Sequence, residues 1–346
     1  MSSDIAIAAT FEIPPRRYPD LQSADLFRMV IEGVVDNWGI APNLIDGIMV
    51  GPSNQSTGKP DVYPHDIVIN LLGGHARFME TINLGGATFS VMVGRAAMAI
   101  RQGAAKAVLC IGAGKFTKPG AGAAEEMVKM IAEPDFEVPY GAYIPAIYAL
   151  AASHYLARRG ATQQDFARIA VSARRWALRN PRALMHSKGE ISVEDVLASR
   201  LISEPFHFLD CSVPTDGGGA ILVTSADIAR SITAQPAYLL GYGEVHTHGT
   251  FSQAPDLLET GAVVTGRAAF AQAGLTPADI DLVQIYDAFS YTPLIMLENL
   301  GFAGPGEAGA LARSGALDPG GRLPLNTHGG LMSFGHTGDT SGLSML

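Results

Sequence analysis

Apolar positions recur along this chain at two periods, one near 3.6 and one near 2, and the two alternate. Residues 23–38 carry apolar side chains at helical spacing with acidic residues early, where a helix N-terminus favours negative charge. Residues 5–9 and 45–50 are short apolar runs of strand character. Residues 81–84 read as another strand running into Gly85-Gly86, and residues 87–101 as an Ala-rich helix punctuated by glycine. The run Ala107-Val108-Leu109-Cys110-Ile111-Gly112 is continuously apolar, as expected of a strand buried on both faces. This β-α-β-α alternation predicts a parallel or mixed sheet covered by helices.

The middle of the chain breaks the pattern. Residues 115–122 read as a Gly/Lys/Pro loop, and from 125 to about 200 the periodicity is helical with interruptions. That stretch is expected to leave the sheet as a helical excursion. Residues 217–224, GGGAILVT, return to strand character. The last third then repeats the opening. Gly39-Ile40-Ala41-Pro42, Ile45-Asp46 and the run 47–50 are matched by Gly274-Leu275-Thr276-Pro277, Ile280-Asp281 and the run 282–285. Both copies give a helix, a Gly turn, a Pro, an Asp and a buried strand, which points to duplication of a βαβ half.

Composition narrows the class. The chain has 346 residues, 47% hydrophobic and 16% charged, enough for a large core and by length about two domains. A net charge of −9 argues against nucleic acid as a partner. Two cysteines, Cys110 and Cys211, make no disulfide framework and no metal-site spacing. No apolar stretch reaches the length of a membrane span, and the N-terminus lacks the basic segment of a signal peptide. A cytoplasmic protein is expected.

Several short motifs occur in order: Gly85-Gly86-Ala87-Thr88 opening a small-residue helix, Asp216-Gly217-Gly218-Gly219-Ala220, Tyr286-Asp287-Ala288-Phe289, Asn326-Thr327-His328-Gly329-Gly330, and Gly335-His336. Together with the duplicated halves they resemble the thiolase superfamily, in the branch of sterol-carrier-protein thiolases, thiolase-like acetyl-CoA acetyltransferases and lipid-degradation aldolases. The resemblance implies an α/β fold with a layered αβαβα core of two similar halves and a helical loop domain over the active site. The halves would be residues 1–230, including an excursion at about 115–205, and residues 231–346. It also implies a CoA thioester as substrate with no tightly bound cofactor, a homodimer, and a small OB-fold partner protein. The family's closing helix and strands are expected beyond Gly342, so the second half reads as incomplete, with an exposed edge and low solubility for the isolated chain.

In the family a cysteine nucleophile opens the first-half helix. Counting back from Ile100-Arg101-Gln102-Gly103 places that position at Gly86, which has no side chain to form an acyl-enzyme. Cys110, in a buried strand, and Cys211, on the approach to Asp216, read as packing residues. The resemblance makes His336 the catalytic histidine, with Thr337 in place of the usual proline, and puts Tyr286 where relatives carry Asn or His. Thr88, Asn326, His328, Gly330 and Gly335 join Gly86 as expected substrate-site residues. Asp287 reads as a structural carboxylate, and His246 and His248 as further pocket candidates without metal-ligand spacing. Residues 151–200 hold nine Lys/Arg against four Asp/Glu, and the resemblance would place one or two of these on nucleotide phosphates.

Thiolysis through an acyl-enzyme needs a nucleophile, whereas retro-aldol cleavage needs a base for a β-hydroxyl proton and a site for the departing enolate. The expected reaction is therefore carbon–carbon cleavage of a β-hydroxyacyl-CoA, with a sterol-like or branched tail. Two alternatives stand beside it: acyl transfer by a route without cysteine, and a non-catalytic subunit that binds CoA thioesters.

Overall fold

The computed structural model describes residues 4–57, 59–116, 128–129, 131–141 and 143–346. The expected loop at 115–122 and the first helical residues after it therefore lie mostly outside the described residues.

In the first part of the chain β1 (Ile5–Glu12), α1 (Ser23–Trp38), β2 (Gly47–Val50), α2 (Pro64–Leu71), β3 (Phe78–Thr81), α3 (Thr88–Arg101) and β4 (Ala107–Gly114) follow one another. The excursion supplies α4 (Ile144–Arg159), α5 (Gln163–Ala177), α6 (Val193–Ala198) and the small hairpin β5 (Leu201–Ser203) and β6 (Phe206–His207). Then come β7 (Gly217–Ser225), α7 (Ala226–Ile232), β8 (Ala237–Tyr238), α8 (Ala262–Ala273), α9 (Tyr291–Asn299), α10 (Ala308–Arg313) and α11 (Gly330–Ser333). A 3-10 helix spans Gly338–Met345.

The main sheet has six strands in the order β3-β2-β4-β7-β1-β8. It is mixed, as predicted: β2 pairs parallel with β3 and β4, while β7 runs antiparallel to β4 and β1. β3 lies three residues earlier than the apolar pattern indicated. Its register with β2 ends at Val50–Thr81, where β2 itself stops, and past it only the Ile82 amide still bonds to Val50.

β4 shows why its sequence is apolar throughout. Leu109 and Ile111 pack with Leu26, Phe27, Val30 and Val34 of α1 on one face. Val108 and Cys110 pack with Phe89, Met92 and Ala96 of α3 on the other. Alternate side chains of a strand leave on opposite faces, so a strand with helices on both sides has no polar position.

The second half reproduces the connection of the first. α1 ends at Gly39 with φ 61° and continues through a 3-10 turn at Pro42–Leu44 into β2. α8 ends at Gly274 with φ 66° and continues through a 3-10 turn at Pro277–Asp279. The segment 282–285, predicted as a buried strand, makes one parallel bridge, Val283 with Leu325, and no ladder among the described residues. Its fixation comes from a side chain instead. The Asn326 amide donates to Ile285 O at 2.8 Å, and its oxygen accepts from Ile285 N at 2.7 Å.

The excursion packs on the second half. Tyr155 and Phe166 of α4 and α5, with Phe206, share one core with Phe289, Tyr291, Leu294 and Met332. Phe206 and Phe289 stack at 5.0 Å. Several of the basic residues of 151–200 are engaged within the fold. Arg159 lies 3.5 Å from buried Glu298, Arg175 pairs with Asp318, and buried Arg174 donates to Gly189 O at 3.1 Å.

Candidate active site

Three segments distant in sequence meet at one point. The first is the 3-10 turn Gly85–Ala87 that opens α3. Leu84 N donates to Thr88 Oγ1 at 2.9 Å, so the buried Thr88 hydroxyl holds the helix start and is not presented as a nucleophile. The second is the extended segment that the Asn326 clamp fixes, which delivers Tyr286. The third begins at His336, whose backbone is tied on both sides: His336 N donates to Val213 O and Thr215 N to His336 O, each at 2.8 Å.

At the meeting point Tyr286 Oη lies 2.8 Å from His336 Nε2. The imidazole is also covered by Phe116, with ring centroids 5.5 Å apart. Phe116 is held in turn by Asp216, which accepts from Phe116 N and Tyr18 N at 2.9 Å and from Arg17 at 3.0 Å. Enclosure by these groups lowers the His336 pKa from 6.5 to about 4, so the ring is neutral near pH 7. A neutral imidazole with its proton on Nδ1 accepts the phenol's proton through Nε2.

Gly86 completes the site by what it lacks. A Cβ there would stand 2.5 Å from Tyr286 Cε2 and 2.7 Å from Cζ. The phenol ring therefore fills the space that any side chain at position 86 would take.

The glycines of the Asp216 motif form a floor. A Cβ at Gly217 would meet Thr337 at 2.4 Å, and one at Gly219 would meet Leu343 at 2.6 Å. From β4, a Cβ at Gly112 would meet Thr340 at 2.7 Å. The 3-10 helix Gly338–Met345 lies directly on this floor, and Gly342 packs on Gly86 O, 2.2 Å from where its Cβ would be. From this helix Ser341 Oγ reaches to within 3.3 Å of Tyr286 Oη. Ser341 escaped the sequence reading, because a serine in a Gly-rich segment carries no pattern of its own.

Of the residues singled out in the sequence, the structure brings Gly86, Tyr286 and His336 together. The others support or stand apart. Asn326 is 2% exposed and its amide is engaged in the Ile285 clamp. Gly330 has φ 64°, and a Cβ there would stand 2.0 Å from Asp287 Oδ2. Asp287 accepts from Leu331 N at 2.7 Å, the orienting role expected of it, and burial raises its pKa to about 7. Gly335, φ 143°, passes against Pro15 on the way to His336.

His328 packs edge-on to Phe334 at 5.1 Å, neither ring nitrogen has a hydrogen-bond partner, and burial lowers its pKa to about 4. His246 and His248 are exposed; His246 bonds Glu244, which also pairs with Arg95. Cys110 is fully buried, and burial pushes the half-buried Cys211 up to about 12, so neither thiol is poised to ionise. Two cavities of about 700 and 830 Å³ flank Arg175 and Glu190, and neither is lined by Tyr286 or His336. No group of three metal-ligating side chains occurs among the described residues. No helix of the described residues is long and apolar enough to cross a membrane.

Comparison with known proteins identifies the family. Residues 243–346 match the Thiolase C-terminal domain-like family. A 17-hydroxy-3-oxo-4-pregnene-20-carboxyl-CoA lyase of Mycobacterium tuberculosis is 33% identical over 92% of this chain and 84% of its own length. The chain belongs to the thiolase superfamily. Within the superfamily it falls in the branch of sterol-carrier-protein thiolases and aldolases. A steroid side-chain-cleaving aldolase of Thermomonospora curvata is also 33% identical, over 88% of this chain and 80% of the relative. The solved structure of an Ltp2-ChsH2(DUF35) aldolase superposes with a TM-score of 0.84 at 30% identity, covering 99% of this chain and 88% of that one. The thiolase-like α/β fold expected from the motifs is thus present.

Proposed function

We propose that this protein is a lyase that cleaves a β-hydroxyacyl-CoA by a retro-aldol reaction, with Tyr286 and His336 as the proton-transfer pair. The observation that carries the reading is the 2.8 Å contact between Tyr286 Oη and His336 Nε2 above a glycine that leaves no room for a side-chain nucleophile. The two lyase relatives support it, one named for a steroid carboxyl-CoA and one for steroid side-chain cleavage. A bulky polycyclic or branched acyl group is therefore the favoured substrate class.

The step balances as follows. Tyr286 oxygen takes the proton of the substrate's β-hydroxyl as its own proton passes to His336 Nε2. The Cβ–O bond becomes a carbonyl, the Cα–Cβ bond breaks, and its electron pair enters the thioester enolate. Reprotonation at Cα releases a shortened acyl-CoA and a ketone or aldehyde. A histidine with a pKa near 4 surrenders the acquired proton readily, which suits it to return the proton to the enolate. Backbone amides at the start of α3, beside the Tyr286 ring at Gly86, favour negative charge and are the proposed site for the enolate oxygen.

A CoA thioester is the ligand in this reading, and no further cofactor takes part. A DUF35-type protein is the proposed partner, on the description of the aldolase neighbour, and a cytoplasmic homodimer is the working form proposed with it. The test uses purified protein, alone and with such a partner, and a β-hydroxyacyl-CoA with a branched tail. Carbonyl product from wild type and its loss in Tyr286→Phe are expected. Equal product from both proteins, or none from either with partner present, overturns the proposal.

A further inference from the structure

The 3-10 helix Gly338–Met345 has a polar group that the reaction above does not use. Ser341 is fully buried, and its hydroxyl faces two acceptors. It lies 2.7 Å from Gly338 O and 3.3 Å from Tyr286 Oη. One hydroxyl proton serves one acceptor well at a time. In the resting geometry the shorter contact holds it at Gly338.

The balance changes during proton transfer. As the Tyr286 proton moves toward His336, the phenolic oxygen gains negative charge until the substrate proton arrives. A hydrogen bond to a charged acceptor is about twice as strong as one to a neutral carbonyl. We infer that Ser341 is a positioning residue for Tyr286, its hydroxyl turning from Gly338 O to the phenolic oxygen while charge is present. The inference rests on the proton-transfer role proposed for Tyr286.

The surroundings hold Ser341 at that distance. Gly342 rests on Gly86 O, and Thr340 Oγ1 donates to Thr337 Oγ1 at 2.8 Å. Ser344 bonds to the Glu12 carboxylate and anchors the far end of the helix to β1. These ties fix the backbone that carries Ser341 against Gly86 and β1. A hydroxyl present solely to satisfy Gly338 has no reason to approach the phenol, and this contrast makes the idea testable.

The experiment is a double-mutant cycle on the full chain with partner. Ser341→Ala is expected to lower kcat about tenfold with KM unchanged, the effect of one hydrogen bond to a developing charge. In a Tyr286→Phe background the same substitution should cause no further loss, since it acts through the phenol. Equal fractional losses in both backgrounds mean a structural role and overturn the inference.

A second readout is independent of turnover. The tyrosinate absorbance that Tyr286→Phe removes should appear at higher pH in Ser341→Ala than in wild type. An unchanged titration overturns the inference even if the protein proves not to be a lyase. Should Ser341→Ala not fold, Ser341→Cys, a similar volume with a weaker donor, takes its place in the titration. It should give a smaller shift in the same direction, and no shift is again decisive against the proposal.

Discussion

The ring of Tyr286 stands where a Cβ on Gly86 would have to be, 2.5 Å from its Cε2. The two positions are coupled by volume: one can carry a side chain only if the other gives way. Gly86→Ala is therefore expected to push the phenol off His336 Nε2, with lyase activity falling by at least tenfold and stability by about 1–3 kcal/mol, the usual cost of overpacking. Paired measurements of kcat and Tm check this. A variant with wild-type kcat and Tm would show that the ring has room to move.

Tyr286→Phe keeps the ring and removes the oxygen. Packing against Gly86 should persist, so Tm should change little. Lyase activity should fall roughly 100- to 10,000-fold, the range for loss of a general acid–base group. Product formation with thermal melts separates the two effects.

The histidines set a pH signature. With His336 near 4 and not 6.5, activity should stay level as pH falls from neutrality and decline only toward about 4. A half-maximum near the ordinary histidine value of about 6.5 would count against a desolvated His336.

Stability should carry the same imprint. His328 and His336 are depressed to about 4 in the fold and near 6.5 when unfolded, so between those values the unfolded chain binds more protons and their contribution is lost as pH falls. Asp287 and Glu12 are raised to about 7 by burial, and their contribution runs the other way, being lost as pH rises toward 7. The two pairs offset each other over the acidic range. His328→Phe removes one histidine term, so its Tm relative to wild type should be higher at pH about 5 than at pH about 7. Equal differences at the two pH values would contradict the assignment.

Asn326 holds the segment that delivers Tyr286. It has φ 50°, and both ends of its amide bond to Ile285. Asn326→Ala leaves a buried amide and carbonyl without partners and places alanine in a left-handed conformation. A cost of about 1–3 kcal/mol or more is expected, together with loss of activity as Tyr286 loses its register. Asn326→Asp keeps the acceptor for Ile285 N but loses the donor to Ile285 O, and should be intermediate in Tm only if the clamp operates as described.

Much of this was legible in the residues alone. The double-faced burial of β4 followed from its uninterrupted apolar run, because only a strand between two helix layers needs no polar position. The matched turns at Gly39-Pro42 and Gly274-Pro277 followed from local chemistry, since a left-handed glycine cap and a proline-led 3-10 turn are set by a few adjacent residues. Gly86, Tyr286 and His336 could be singled out from the order of motifs. The end of β3 could not, because it depends on where β2 stops.

Tertiary structure decided what those residues are to one another. Tyr286 and His336 are 50 positions apart, and Gly86 is 200 positions before Tyr286; nothing in their spacing says that a ring fills a missing side chain. The glycines at 217–219 read in the sequence as the start of a strand, and only the fold makes them a floor for Gly338–Met345. Asn326 looked like a substrate ligand, and its amide proved to be engaged with backbone. Periodicity records which face of an element is covered; it does not record what covers it, and at this site the covering groups set the chemistry.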